Sequence, residues 1–210
     1  MGEKKYITPQ EEFWAGSFGN EYINRNQSAE YLASNLNFFV KALHQAGRPQ
    51  SLIEFGANIG MNLKAIKALY PGIKLGGIEI NEEAAKELAY VIDAENVFHG
   101  SIFDYNVTAQ FEVSLIKGVL IHINPDMLPV IYQKLYEASN KYILVCEYYN
   151  PAPVTISYRG HSDRLFKRDF AGEMLEKYTD LKLVDYGFVY KRDPAFPQDD
   201  ITWFLMQKIG

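Results

Sequence analysis

Glu54, Gly56 and Gly60 stand in the run Glu54-Phe55-Gly56-Ala57-Asn58-Ile59-Gly60, and Glu79 follows Gly56 by 23 residues. Gly56 permits a tight turn with backbone close to a ligand, and Gly60 lets a following helix pack near a strand. The middle glycine of a dinucleotide fingerprint is missing, and so is the Lys-Ser/Thr ending of a phosphate loop. Glu54, just ahead of the turn, repels a phosphate and suits a cationic amine. Glu79 closes an apolar run, where a carboxylate can accept both hydroxyls of a ribose. His122 reads as a general base or as a structural histidine. Between residues 158 and 168, Arg159, His161, Arg164, Lys167 and Arg168 face only Asp163. Such a cluster binds a carboxylate or phosphate, or forms a solvated face. Tyr148, Tyr149 and Tyr158 can stack on a sugar-sized ligand or fill the edge of a core. His44, His99 and His161 lack metal-ligand spacing, so no metal is implied.

These residues need elements to hold them. Ser51 to Phe55 reads as a buried strand, and Leu63, Ile66, Leu69 and Tyr70 recur at helical spacing until Pro71-Gly72 stops them. A second strand runs from Ile73 to Ile80, and Asn81 with Glu82 and Glu83 starts a helix. Residues 96–100 and 111–117 give two more strands, 125–139 a helix with Pro129 near its start, and 141–147 a fifth strand. Residues 169–178 form a helix, and 181–190 and 202–208 the last two strands. No helical pattern separates these two, so they pair antiparallel at a sheet edge. Residues 27–45 add an amphipathic helix before the first strand. The pattern predicts a doubly wound α/β fold with a seven-stranded sheet and an N-terminal helical cap. It is read as one domain over 1–210: a cap over 1–50, a ligand-binding half over 51–147, and an acceptor segment with the hairpin over 148–210.

Composition excludes several classes. With 48% hydrophobic and 22% charged residues the chain is an ordinary globular sequence, not disordered or fibrous. Its net charge of −5 argues against general nucleic-acid binding. Cys146 is the single cysteine, which excludes an internal disulfide and any multi-cysteine metal site. No apolar run approaches a membrane span and no signal-peptide core precedes the first helix, so the expected compartment is the cytoplasm.

Glu-x-Gly-x-x-x-Gly, Gly77-Ile78-Glu79-Ile80, His99 to Asp104, and Leu115 to Ile123 occur in order, and together they resemble the motif series of class I S-adenosylmethionine-dependent methyltransferases. The resemblance covers residues 51–147. More narrowly, Phe13 to Asn26, Glu147 to Pro151, Tyr158-Arg159-Gly160 and Lys167 to Phe170 are similar to methyltransferases associated with pseudaminic acid biosynthesis. The resemblance implies S-adenosyl-L-methionine as cofactor and S-adenosyl-L-homocysteine as product. Gly56, Ala57, Asn58, Lys117 and Gly118 would lie near its methionine part, with Glu54 binding that part through water or the amine. Glu79 would hold the ribose, Ile80 would pack on the adenine, and Ser101, where many relatives carry Asp, would lie beside it with Ile102. Tyr22, Arg25 and Asn26 would close over the cofactor, Arg25 toward its carboxylate. His122 and Tyr149 would be catalytic, and Tyr148, Tyr158, Arg159, Arg164, Lys167 and Arg168 would bind the acceptor. The implied acceptor is a small anionic sugar or nucleotide-linked sugar, methylated on oxygen or nitrogen by a monomer or homodimer. Two alternatives stay open: a non-catalytic cofactor-binding partner protein, and a nicotinamide-dependent dehydrogenase.

Overall fold

The computed structural model describes residues 6–23, 27–158 and 161–210, with backbone alone at 157, 158 and 161–164. Seven strands form one sheet: β1 (Ser51–Phe55), β2 (Lys74–Glu79), β3 (Val97–His99), β4 (Phe111–Lys117), β5 (Ser139–Glu147), β8 (Leu181–Val189) and β9 (Ile201–Lys208). Their spatial order is β3-β2-β1-β4-β5-β9-β8. The first five run parallel, while β9 pairs antiparallel with both β5 and β8, which makes the expected terminal hairpin. The chain winds outward in both directions from β1 and β4, so the switch point lies between those strands, where α/β sheets bind ligands.

Alternation along the strands supplies both faces of the core. Leu52, Leu115 and Leu144 pack with Phe38 and Phe39 of α3 (Ala29–Ala42) and Leu63 and Ile66 of α4 (Met61–Leu69). Leu88 of α5 (Glu82–Leu88) joins the same layer. Ile53, Phe55, Ile116, Ile143 and Val145 point the other way, toward α6 (Leu128–Ala138) and α7 (Phe170–Lys177). A fully buried Phe or Leu contributes about 1.5–3 kcal/mol, so these two layers hold the strand ends that carry polar groups. Capping follows the expected residues: Ser28 opens α3, Asn81 opens α5 and Asp169 opens α7.

Two elements go beyond the sequence-based expectation. The N-terminal cap contains two short helices, α1 (Pro9–Ala15) and α2 (Ser17–Ile23), the first opened by a capping box of Thr8 and Glu11. The acceptor segment contains a hairpin, β6 (Val154–Tyr158) with β7 (His161–Lys167), which forms a separate two-stranded sheet. Val154-Thr155-Ile156 carries the β-branched signal, but the surrounding Tyr, Pro and basic residues hide it. Among the described residues no helix is long and apolar enough to cross a membrane, and no three His, Cys, Asp or Glu side chains gather as metal ligands.

Candidate functional site

A cavity of about 490 Å³ opens at the carboxyl ends of β1, β2 and β4, within the size range of small-molecule sites. Its floor is the turn from β1 into α4. Gly56, Asn58 and Gly60 take φ of 78°, 49° and 79°, the left-handed region open to glycine and tolerated by asparagine. A Cβ on Gly56 would stand 2.6 Å from a Val119 methyl, so any side chain there would push the β4 loop away. The N–H groups of Gly56 and Ala57 both donate to the Ile78 carbonyl at 2.9 Å, which ties the turn to β2.

Glu79, at the end of β2, is buried and lines the cavity. One carboxylate oxygen accepts the Asn58 N–H at 2.7 Å and the other the Asn81 N–H at 2.7 Å. Burial raises its pKa, and the backbone donors Asn81, Asn58 and Ile80 work against that rise. A carboxylate has about four lone-pair sites, so both oxygens keep capacity for ligand hydroxyls.

Glu54 is sealed at the end of β1. Its Oε1 accepts the Asn62 side-chain N–H at 2.6 Å, whereas its Oε2 and the Asn62 Oδ1 have no hydrogen-bond partner. Burial drives its pKa up to about 8, against the Asn62 hydrogen bond and the charge of Lys117. Lys117, half-buried at the end of β4, lines the cavity, its ammonium 5.4 Å from the Phe38 ring centre and 5.9 Å from that of Tyr31. Burial disfavours its charged form, but Tyr31, Cys146, Glu54 and Tyr22 outweigh that and hold its pKa above the ordinary lysine value.

The opposite end of the cavity is assembled from distant segments. Trp14 of α1 lies 4.8 Å, ring centre to ring centre, from His122, which is buried in a 3₁₀ turn over Leu120–His122. Buried Glu147, at the end of β5, anchors that turn: its Oε1 accepts the N–H groups of Val119 and Leu120 at 2.9 and 2.8 Å. Burial raises the Glu147 pKa to about 7 against those donors. Asn81 ties α1 and α2 to the sheet through its side-chain amide, which donates to the Asn20 carbonyl at 2.7 Å and the Trp14 backbone carbonyl at 3.3 Å. Leu165 of β7, Tyr148 and the exposed Asp199 complete the wall.

Of the residues singled out in the sequence, Tyr22, Gly56, Ala57, Asn58, Glu79, Ile80, Ser101, Ile102, Lys117, Gly118, His122 and Tyr148 line this cavity. Glu54 lies beneath its floor, and Gly60 sits under Leu88 and Val91, where a Cβ would meet Leu88 at 2.7 Å. The Ser101 hydroxyl accepts the Phe103 N–H at 3.1 Å and so shapes its own turn. Tyr149 is 42% exposed, its ring 5.8 Å from Phe204 and outside the cavity wall. The Lys167 ammonium lies 5.0 Å over the Tyr148 ring. Arg168 is paired with Glu173, whose second oxygen accepts the Tyr132 hydroxyl at 2.7 Å, so its guanidinium is engaged within the fold. Arg25, Asn26 and Arg159 lie outside the described residues, as do the side chains of Tyr158 on β6 and Arg164 on β7. Asn62, Glu147, Leu165 and Asp199 were not foreseen. An amide eight residues after Glu54, in the first turn of the next helix, was the available signal for Asn62.

No family model matches this sequence, and no curated protein matches it. Solved structures do. Over all of this chain and 94% of the other, it superposes on a Burkholderia thailandensis 1,6-didemethyltoxoflavin-N1-methyltransferase, solved with S-adenosylhomocysteine, with a TM-score of 0.70 and 16% identity. The fold is a methyltransferase fold. A magnesium protoporphyrin IX methyltransferase from Synechocystis PCC 6803, solved with S-adenosylmethionine, gives 0.67 at 9% identity over 98% of this chain and all of that one. Mitomycin 7-O-methyltransferase gives 0.68 at 15% identity over 96% of this chain, which spans 61% of that longer protein.

Proposed function

We propose that this chain is an S-adenosylmethionine-dependent methyltransferase acting on oxygen or nitrogen of a small acceptor. The observation that carries the proposal is the Glu79 carboxylate, buried at the end of β2, bound to the glycine turn through Asn58 and open to the cavity. That arrangement suits a ribose diol above a turn that admits a ligand closely. The same turn disfavours a dinucleotide. Asn58 occupies the place of the glycine that admits a diphosphate, its Oδ1 accepting the Ile59 N–H at 2.6 Å, and Glu54 lies below. Neighbours of the same fold that bind S-adenosylmethionine or S-adenosylhomocysteine add support.

The bound cofactor supplies an electrophilic methyl group whose leaving group is a neutral thioether. The protein's part is proximity, alignment and exclusion of water. Glu79 orients the nucleoside, with Ile80 and Ile102 beside it. His122, held by the turn that Glu147 anchors and packed on Trp14, takes the proton of an acceptor hydroxyl. Trp14, Tyr148 and Leu165 keep that end of the cavity dry. For the acceptor, the resemblance of residues 13–26 and 147–170 to the pseudaminic acid-associated methyltransferases supports an anionic sugar or nucleotide-linked sugar. Lys167, over the ring of cavity-lining Tyr148, is a described cation suited to that role. Calorimetric titration with S-adenosylmethionine, S-adenosylhomocysteine and NAD tests the class. Micromolar binding of the two sulfur nucleosides and none of NAD is expected; binding of NAD alone refutes it.

A further inference from the structure

A strand that places large apolar residues on one face normally has a helix layer over them. The outer strand β8 departs from this past its middle. Leu183 pairs with Met206 and Tyr186 with Phe204, so Leu183, Tyr186, Phe188 and Tyr190 share the face on which α6 and α7 pack. Those helices leave them uncovered: Tyr186, Phe188 and Tyr190 are 65%, 58% and 47% exposed. The Tyr186 ring centre lies 6.4 Å from that of Phe204, and Phe188 lies 6.2 Å from Tyr190. The charged residues of β8, Lys182 and Asp185, pair with Gln207 and Leu205 on the opposite face and do not interrupt this strip. The backbone edge is open as well, because β8 ends the sheet and no strand pairs with its far side among the described residues. Exposed edges are commonly blunted by a bulge, a proline or an inward charge. The bulge of β8 falls between Leu183 and Asp185, and Tyr186-Gly187-Phe188-Val189-Tyr190 beyond it carries none of these devices.

An apolar strip beside an unpaired edge is a template for one more antiparallel strand, and β8 is complementary to itself. We propose that two copies of this chain associate through β8 about a two-fold axis, joining their sheets edge to edge. Charge sets the register. Centred on Phe188, the pairing puts each Phe188 against its counterpart, each Tyr186 against Tyr190 of the other copy, and each Asp185 against Lys191 of the other copy. Aromatic rings then meet on one face, and an ion pair closes the other on each side of the axis. Both charges can take part. One Asp185 oxygen accepts the Tyr186 N–H at 2.9 Å and the other has no donor among the described residues, while the exposed Lys191 ammonium lies 3.5 Å from Asp200. Centred on Gly187 instead, the strands would set Asp185 against Val189 and leave the charge alone. The area is adequate. The exposed parts of Leu183, Tyr186, Phe188 and Tyr190 offer roughly 400 Å² per copy, and with the backbone edges and ion pairs two copies approach the ~1,000 Å² at which specific interfaces begin. The interface also adjoins the cavity, because the loop that follows Tyr190 brings Asp199 to its wall.

Sedimentation velocity on the full chain, over about 1 to 100 μM, reads the association. The wild type is expected to dimerise with a micromolar dissociation constant. Phe188→Lys brings two ammonium groups together on the axis and is expected to leave a monomer throughout that range. Asp185→Lys is expected to weaken the dimer about 10-fold or more, and adding Lys191→Asp to recover most of that loss, since the swapped charges face each other again. Thermal unfolding of each variant checks that it is folded, and the swapped pair keeps the test decisive if Phe188→Lys is not. A wild type that stays monomeric at about 100 μM, a dimer that survives Phe188→Lys, or a double variant no tighter than Asp185→Lys overturns the proposal. None of these outcomes bears on the methyltransferase reading.

Discussion

Replacing Glu54 with glutamine should stabilise the protein in a pH-dependent manner while weakening its ligand. The carboxyl titrates near 4.5 in an unfolded chain and at about 8 in the fold, because burial disfavours the anion. Between those values the native protein keeps a proton that the unfolded chain has lost. Stability therefore falls as pH rises through that window, by about 1.4 kcal/mol per pH unit and up to about 5 kcal/mol across it. Glutamine resembles the protonated acid, still accepts the Asn62 N–H and does not titrate. Urea unfolding of both proteins at pH 5, 6, 7 and 8.5 reads the difference. The two should be nearly equal at pH 5, with the variant ahead by about 3–5 kcal/mol at pH 8.5 and m unchanged. Glu147 titrates in both proteins and cancels in the comparison, whereas the Glu79 charge, which adds to the rise at Glu54, acts in the wild type alone. A flat difference, or one that shrinks as pH rises, would refute the claim that Glu54 is held as a neutral acid by burial. The variant should also bind S-adenosylhomocysteine more weakly, which would make Glu54 a site where stability is given up for binding.

Glu79→Gln replaces an acceptor of two backbone N–H groups by a half-mismatched amide, and calorimetry should show cofactor affinity reduced about 10- to 100-fold. His122→Ala should lower kcat by ~100-fold or more with cofactor affinity retained; near-normal turnover would return His122 to packing against Trp14. Arg168→Ala decides between two roles for that residue. Its pairing with Glu173 predicts a loss of about 1 kcal/mol in unfolding free energy and an unchanged acceptor KM, whereas a raised KM would restore an acceptor role.

The half of the site built on β1, β2 and β4 was legible because its signals are local. A strand, a glycine and a helix start within a dozen residues specify Gly56 and Gly60, the end of the next apolar run specifies Glu79, and the alternation of apolar runs specifies the sheet that carries them. The acceptor end was legible only at His122 and Tyr148; Leu165 and Asp199 join them through tertiary contacts that no local pattern marks. Charge clustering alone does not show which cations are already engaged within the fold. Arg168 looks like part of a basic ligand site in the linear sequence, yet the helix start at Asp169 brings Glu173 back onto it. The β6–β7 hairpin was hidden by the same cluster. The signal for Asn62 was weak, since an amide eight residues after an acid, in a first helical turn, is ordinary unless that acid is sealed.

Three buried carboxylates lie at or next to the ends of β2, β5 and β1, and each uses its oxygens differently. Glu79 engages both oxygens with backbone N–H groups and so holds the glycine turn and the start of α5 in register. Glu147 places two N–H groups on one oxygen and thereby holds the loop that carries His122 against β5. Both bind backbone, which no ligand can replace, and removing either loosens a wall of the cavity. Glu54 binds no backbone group. It bonds only a side chain that lines the cavity, beside an ammonium that has no acceptor of its own. A carboxylate kept only to fix the fold would be better replaced by an apolar residue, since the desolvation of an unpaired acid exceeds what one amide hydrogen bond returns. On the methyltransferase reading, the cation that offsets this cost arrives from outside the chain, as the amine of the cofactor.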